Sequence, residues 1–205
     1  VAYKYSTGSL RQGDIYFEDD RLGEPTYIDF GMDTISLRPS GSAILNVSAS
    51  AVGIGTTSPK VKLDVVHDPT SLVEDTGGGE VVTFGGEDGS DTLAAGKLMF
   101  LHTSGDWKYA DADAVATSGP VLLGIALGTA VADGILLRGY YNFAAGSVQG
   151  TFVKGATCYV SENAGDIDFT APTGAGDVVR VIGWGTDTTR VIYFNPSGDW
   201  VEIAS

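Results

Sequence analysis

Nucleophilic catalysis needs a base beside a serine or cysteine, and this chain offers only His67 and His102 for that task. No Gly-x-Ser-x-Gly elbow is present. Cys158 lies in the apolar run Ala156-Thr-Cys-Tyr-Val160, where a buried, inert thiol is expected. His102 ends an apolar stretch just before a turn and is expected at the surface. Carboxylates are plentiful, and Asp111 with Asp113 and Asp166 with Asp168 form pairs two residues apart. On a strand that spacing puts both groups on one face about 7 Å apart, the pattern of solvated edge residues rather than of an acid and base flanking a substrate.

Cofactor chemistry fares no better. Gly53-Ile-Gly55-Thr-Thr-Ser58 and Gly183-Trp-Gly185 begin like a dinucleotide fingerprint but lack the third glycine and a following helix. Ala95-Gly96-Lys97 is followed by Leu98, where a phosphate-binding loop would place a hydroxyl for magnesium. Glu87-Asp-Gly-Ser-Asp91 misses the spacing of known calcium loops. One cysteine and two histidines do not make a structural zinc site. The expectation is therefore no catalytic, cofactor-binding or metal-ligating residue, and no enzyme. What remains is aromatic: Trp107, Trp184, Trp200, Tyr140, Tyr141 and Tyr193. Most are expected in the core, since large aromatics carry much of the burial in small β domains. As contacts to a receptor the sequence puts forward Trp107, Tyr140, Tyr141, Trp184 and Trp200.

The elements that must position these residues are strands. Glycine fills 29 of 205 positions, about twice the ~7% average. Charged residues are 19%, and β-branched residues are common. No window carries a sustained 3.6-residue apolar stripe, and the best helical segment, 111–117, is one or two turns long. The fold class predicted is all-β. In residues 1–66 the apolar residues come as brief alternations: Ile15 and Phe17, Ile28 and Phe30, Ile35 and Leu37, Leu45 and Val47, Val52 and Ile54, then Val61, Leu63 and Val65. Turn formers separate them, among them Gly23-Glu24-Pro25, Arg38-Pro39-Ser40-Gly41 and Thr57-Ser58-Pro59. Strands so short remove too little surface from water to offset chain entropy alone. Association of several copies around a shared core would solve that problem, so 1–66 reads as an oligomeric fibre segment.

Residues 67–96 read as a glycine-rich, acidic joint, either a linker or the ordered lead-in to the next domain. Asp75-Thr-Gly-Gly-Gly-Glu80 and Gly85-Gly-Glu-Asp-Gly-Ser-Asp91 look loop-like, with one strand over 81–84 between them. From 97 to 205 nine longer strands are expected, over 97–102, 107–110, 121–127, 134–143, 157–161, 166–170, 178–185, 190–194 and 200–203. Turns every eight to twelve residues suggest a compact β-sandwich or barrel head. Phe100-Leu-His-Thr-Ser-Gly-Asp-Trp107 matches Tyr193-Phe-Asn-Pro-Ser-Gly-Asp-Trp200, and each is expected to be a hairpin.

Charge excludes whole classes of partner. Asp and Glu outnumber Lys and Arg 26 to 12, a net charge of -14, which repels phosphate backbones and anionic headgroups. No apolar run approaches the ~20 residues of a bilayer-spanning helix. No signal peptide is visible, and a chain opening at Val1 is expected to be a processed or truncated product.

One segment goes beyond composition. Val52-Gly-Ile-Gly-Thr-Thr-Ser-Pro59 followed by Lys62-Leu-Asp-Val65 resembles the Gly-Ile-Gly-Thr-x-x-Pro…Lys-Leu-x-Val signature of tailed-bacteriophage tail fibres and related virion fibre proteins. Upstream, Gly13-Asp-Ile-Tyr-Phe17, Tyr27-Ile-Asp-Phe30 and Ile35-Ser-Leu37 are similar to the strand–turn units that precede that signature. Residues 95–205 resemble a β module at the C-terminal end of marine-phage structural proteins, through Leu122-Leu-Gly-Ile-Ala-Leu127, Val178-Val-Arg-Val-Ile-Gly183 and Ile192-Tyr-Phe-Asn-Pro-Ser-Gly-Asp-Trp200. The resemblance implies that 1–66 is a trimeric, intertwined β-fibre stem and that the homotrimer is built into a virion with other structural proteins, on the tail or capsid exterior. It implies attachment to a host-surface polysaccharide or protein receptor, with no nucleic acid bound and no membrane insertion. Relatives of this kind often continue into a self-cleaving chaperone, which nothing after Trp200 resembles; removal during maturation, or a branch without one, is expected. A head fibre or capsid decoration protein is the first alternative, and a tail-spike polysaccharide depolymerase the second.

Overall fold

The computed structural model describes residues 26–39 and 43–204, with the strand placement of Ile15–Tyr16. The rest of the Gly13–Phe17 segment, the Gly23–Pro25 turn and Ser40-Gly41 lie outside the described residues. The described chain is nearly all β, and it divides into two compact units, Val1–His67 and Asp68–Ser205.

The first unit is one six-stranded sheet in sequence order: β1 (Ile15–Tyr16), β2 (Tyr27–Gly31), β3 (Thr34–Arg38), β4 (Leu45–Ser48), β5 (Val52–Ile54) and β6 (Leu63–Val65). Neighbours are antiparallel except β5 and β6, which run parallel. The alternation of the sequence becomes a sorting of faces, because paired residues share a face and successive residues do not. Register aligns Ile28, Leu37, Leu45, Ile54 and Val65 in one row, and Phe30, Ile35, Val47, Val52 and Leu63 in the next. The opposite face carries Asp29, Ser36, Asn46, Gly53 and Asp64, where Asn46 Nδ2 donates to Ser36 Oγ (2.8 Å) and Arg38 pairs with Asp29 (2.9 Å).

The Gly-Ile-Gly-Thr segment closes this sheet. A Cβ on Gly53 would meet the Thr56 carbonyl at 2.4 Å, and Gly55 takes φ 72° beneath the Val66 carbonyl. Gly55 N–H donates to Ile44 O (2.9 Å) and Val66 N–H to Ile54 O (3.0 Å). The chain is thereby brought back parallel to β5 through a short loop, which Lys60 N–H steadies by donating to Asp64 Oδ2 (2.8 Å).

The second unit holds β7 (Thr76–Val82), β8 (Gly86–Glu87), β9 (Leu98–Leu101), β10 (Asp106–Tyr109), the single-turn α1 (Val115–Ser118), β11 (Leu123–Ala126), β12 (Ile135–Asn142), β13 (Val148–Gln149), β14 (Thr157–Val160), β15 (Ile167–Asp168), β16 (Val178–Val179), β17 (Val181–Gly185), β18 (Val191–Phe194) and β19 (Val201–Glu202). Its main sheet runs β13-β15-β14-β17-β18-β12-β11-β9-β10-β8, while β16 and β19 form a separate pair. β12 is the hub. Along one edge β7 pairs with it from Ile135 to Asn142; along the other, β11 takes Ile135 and Leu136 and β18 takes Gly139 to Asn142. Two arms therefore diverge from β12, and both feed one apolar cluster: Phe100 and Ile125 from one, Cys158, Ile182 and Phe194 from the other, with Tyr141 of β12 between. The β9–β11 arm is buried on its second face too, where Met99, Trp107 and Ala126 pack with Leu93 and Val131.

Several expectations are corrected here. The path does not close, since its ends, β13 and β8, do not pair, so no barrel forms. The Thr-Gly-Gly-Gly-Glu run is strand β7, not loop: a Cβ on Gly77 would lie 2.6 Å from Tyr141 Cδ2, and one on Gly79 2.1 Å from Arg138 O. Close approach of two backbones, not turn geometry, is what selects glycine there. Residues from Asp68 on belong to the second unit, and Phe84 and Leu93 pack around Trp107. Of the two Ser-Gly-Asp-Trp repeats, only the first is a hairpin, β9 to β10 with Gly105 at φ 90°. After Phe194 the chain continues along β17, as Asn195 N–H donates to Ile182 O and Ser197 N–H to Val181 O (both 2.9 Å); Pro196 between them has no N–H to give. β19 then pairs with β16 instead of turning back on β18.

Candidate functional site

The outer face of the second unit's main sheet gathers aromatic side chains on neighbouring strands. On β12, Tyr141 points into the core, so Tyr140 points out. Register sets Tyr140 opposite Tyr193 of β18, and Tyr193 opposite Trp184 of β17. The row continues to Thr157 of β14 on one side and Gly78 of β7 on the other. Trp184 reaches the outer face because β17 carries one extra residue against β14, where Cys158 faces Gly183 and Tyr159 faces Val181. That bulge lets Ile182 stay in the core while Trp184, two residues on, faces out.

Trp184 is 39% exposed, while Tyr140 and Tyr193 are half-buried with ring centroids 5.2 Å apart at 48°. Arg138, exposed two residues before Tyr140, donates from Nε to Tyr193 Oη (3.0 Å). Thr157 Oγ1 donates to Tyr159 Oη (2.7 Å) on the same face. Beside Tyr140, Gly78 leaves an open notch: a Cβ there would meet nothing within 4 Å. The arrangement can stack flat apolar surfaces and exchange hydrogen bonds through phenols.

Of the receptor contacts put forward from sequence, Tyr140 and Trp184 meet on this face. Trp107 and Tyr141 do not, being fully buried. Trp107 Nε1–H donates to Phe84 O (2.8 Å), which binds the 68–96 segment to the sheet. Tyr141 packs edge-on to Phe143, and its hydroxyl is buried without a hydrogen-bond partner. Burial, with the nearby Asp75 charge, pushes its ionisation above the ordinary tyrosine range. Trp200 is half-buried ahead of β19, outside the row. Tyr193 is one of the six aromatics the sequence singles out but not one of the five it puts forward as contacts, and Tyr159, beside Cys158, is in neither set. The alternation of Thr157 and Tyr159 against Cys158 and Val160 was the available signal.

Several of the groups considered for catalysis or metal binding are engaged internally. Asp166 accepts from Lys97 Nζ (2.8 Å) and Gln149 Nε2 (2.9 Å), and Asp168 from Thr170 N–H (2.7 Å). Asp111 accepts from Asp113 N–H (3.0 Å). In the Glu87–Asp91 segment, Glu87 accepts from Val131 N–H, Asp88 pairs with Lys108, and Asp91 accepts from Tyr109 N–H. His102, Ser104 and Asp106 are hydrogen-bonded in series in the β9–β10 turn, but the serine stands between the other two and donates to Asp106. A base cannot draw a proton from a hydroxyl so committed, and the exposed cluster is a turn lock. Cys158 is fully buried, and burial pushes its thiol well above the usual range.

No helix among the described residues is long and apolar enough to cross a membrane. Compared with known protein families, curated proteins and solved structures, the chain matches none.

Proposed function

We propose that this chain is a non-enzymatic bacteriophage virion structural protein, a tail-fibre component contributing to host attachment. In this reading the first unit is a fibre stem in which three copies cover one another's apolar face, and the second is a sandwich-like head. The observation that carries it is the one-sided sheet of residues 27–65. Ile35, Leu37, Val47, Ile54, Leu63 and Val65 all lie on that face and are 38–61% exposed. Among the described residues of the first unit, no apolar side chain is buried; the buried ones are Ser36, Asn46 and Gly53. A contiguous apolar face of this kind marks an interaction surface, and a sheet without its own core gains most by associating. The two apolar rows are continuous over five strands, so like faces from other copies complement them as a shared axial core. The resemblance of Val52–Pro59 and Lys62–Val65 to fibre proteins supports the same assembly, and it supplies the virion setting.

Attachment would then work by avidity. Three heads on one stem raise the local concentration for every contact after the first, so modest single-site affinity suffices. The net charge of -14 keeps crowded copies soluble. Light scattering tests the assembly: the native mass should be near three times the 21.3 kDa chain mass. Val47→Asp, which puts a charge in the centre of the face, should lower it towards the chain mass. A monomeric native chain at micromolar concentration would overturn the stem reading.

A further inference from the structure

We infer that the outer face of the second unit carries a stacking site for a neutral oligosaccharide, formed by Trp184, Tyr193 and Tyr140 with Arg138 at its rim. The inference deepens the attachment reading by naming a ligand chemistry, but it stands on residues of the second unit alone.

Three aromatic side chains sit on consecutive strands in one register row. Strands are spaced about 4.8 Å apart, so the row presents its rings over roughly 10 Å, a length suited to a short run of pyranose rings. The row ends at Gly78, whose missing side chain leaves a step beside Tyr140 where a ring edge can settle. Tyr140 and Tyr193 already brace each other at 5.2 Å, and Arg138 fixes Tyr193 through its hydroxyl, so little side-chain freedom is left to lose on binding.

The chemistry of the face selects the occupant. The face mixes ring surfaces with polar groups, the Tyr193 and Tyr159 phenols held by Arg138 and Thr157 and the Arg138 guanidinium itself, and a purely apolar partner would strip water from them at a cost. A sugar offers C–H faces to the rings and hydroxyls to the phenols. Charge narrows the choice further. Arg138 stands directly opposite Glu80 across β7 and β12, so the rim presents both signs, and the chain as a whole carries -14. An anionic glycan would meet that field unfavourably, whereas a neutral one would not.

The full-length protein is titrated with neutral gluco-, galacto- and manno-configured hexasaccharides and with a sulfated hexasaccharide, followed by calorimetry and tryptophan emission. At least one neutral hexasaccharide should bind and perturb emission, and the sulfated probe should bind more weakly. Trp184→Ala and Tyr140→Ala should each weaken binding about tenfold or more, the size expected of an anchoring aromatic. Trp184→Phe should retain most of it. Unchanged near-ultraviolet circular dichroism would show that the variants fold. No binding by any neutral probe, or binding indifferent to both alanine variants, would overturn the site while leaving the native mass, and so the stem reading, untouched. A lower native mass in Trp184→Ala would make the face a contact between copies and would equally overturn it.

Discussion

Three consecutive glycines in β7 should respond to alanine in alternation. Gly77 has the Tyr140 carbonyl 2.5 Å and Tyr141 Cδ2 2.6 Å from where a Cβ would sit. Both are closer than real Cβ contacts come, and neither the backbone nor the buried Tyr141 ring yields cheaply. Overpacking of this kind costs about 1–3 kcal/mol. Gly79 adds a backbone conformation, φ 151°, that side chains disfavour, besides the Arg138 carbonyl at 2.1 Å; the strain brings its cost to about 2–6 kcal/mol. Gly78 lies between them with open space and no positive φ, so Gly78→Ala should be neutral, or stabilising by about 0.4–1 kcal/mol through the unfolded chain. Urea unfolding of the full chain, followed by emission of buried Trp107, reads all three variants against the wild type. A damaging, harmless, damaging series is expected. Three changes within about 0.5 kcal/mol of zero, or damage at Gly78 equal to that at Gly79, would refute the close pairing of β7 with β12.

Further tests bear on single groups. Arg180 donates to the carbonyls of Ser118, Gly119, Val121 and Ser197; Arg180→Met should cost about 3 kcal/mol or more in the same urea assay, and Arg180→Lys should not restore it, because a single ammonium cannot span the fork. Lys108 first, and then the Ser90 backbone and hydroxyl, hold the Asp88 carboxyl down to about 2 from its ordinary 3.8. A depressed folded value means that this contribution is present above pH 4 and lost as pH falls through about 2; carboxyl NMR should show that midpoint, and Lys108→Met should move it back up. Phe84→Ala removes the ring that packs on Trp107 at 6.1 Å; Trp107 emission should shift to the red and unfolding should occur at lower urea, whereas an unchanged spectrum would deny the 68–96 segment its place over the sheet.

Much of the strand content was legible, because apolar alternation survives in short segments. Ile35 with Leu37 and Leu45 with Val47 mark β3 and β4, and all nine segments read after residue 96 contain observed strands. Pairing was not legible. β7 joins β12 some sixty residues away, and β8 and β13 are two-residue strands held by parallel partners. Such pieces carry no periodicity of their own, and the partner's backbone decides them. The glycine run hid β7 for a related reason: glycine marks loops and close backbone approach alike, and only Tyr141 and Arg138 opposite it tell which. The site shows the same division. That Tyr140 and Tyr141 face opposite ways follows from their being neighbours on a strand; which one faces out depends on the core that receives Tyr141. Trp184 was harder still, since its direction depends on a one-residue bulge against β14.

The claim that the apolar face of the first unit is an interface between copies is tested most directly by thiol reactivity at its centre. Cys158, the one cysteine, is fully buried and pushed towards the unreactive thiol form, so the background is low. A single cysteine is placed at Val47→Cys on the face, or at Ser50→Cys in the exposed β4–β5 turn, and labelled with a thiol reagent at micromolar protein concentration. Ser50→Cys should label at the rate of an open thiol, and Val47→Cys on the order of a hundredfold more slowly, the protection conferred by about 3 kcal/mol of assembly free energy. Equal rates at the two positions would mean that the face stands open to water, and the stem reading would fall.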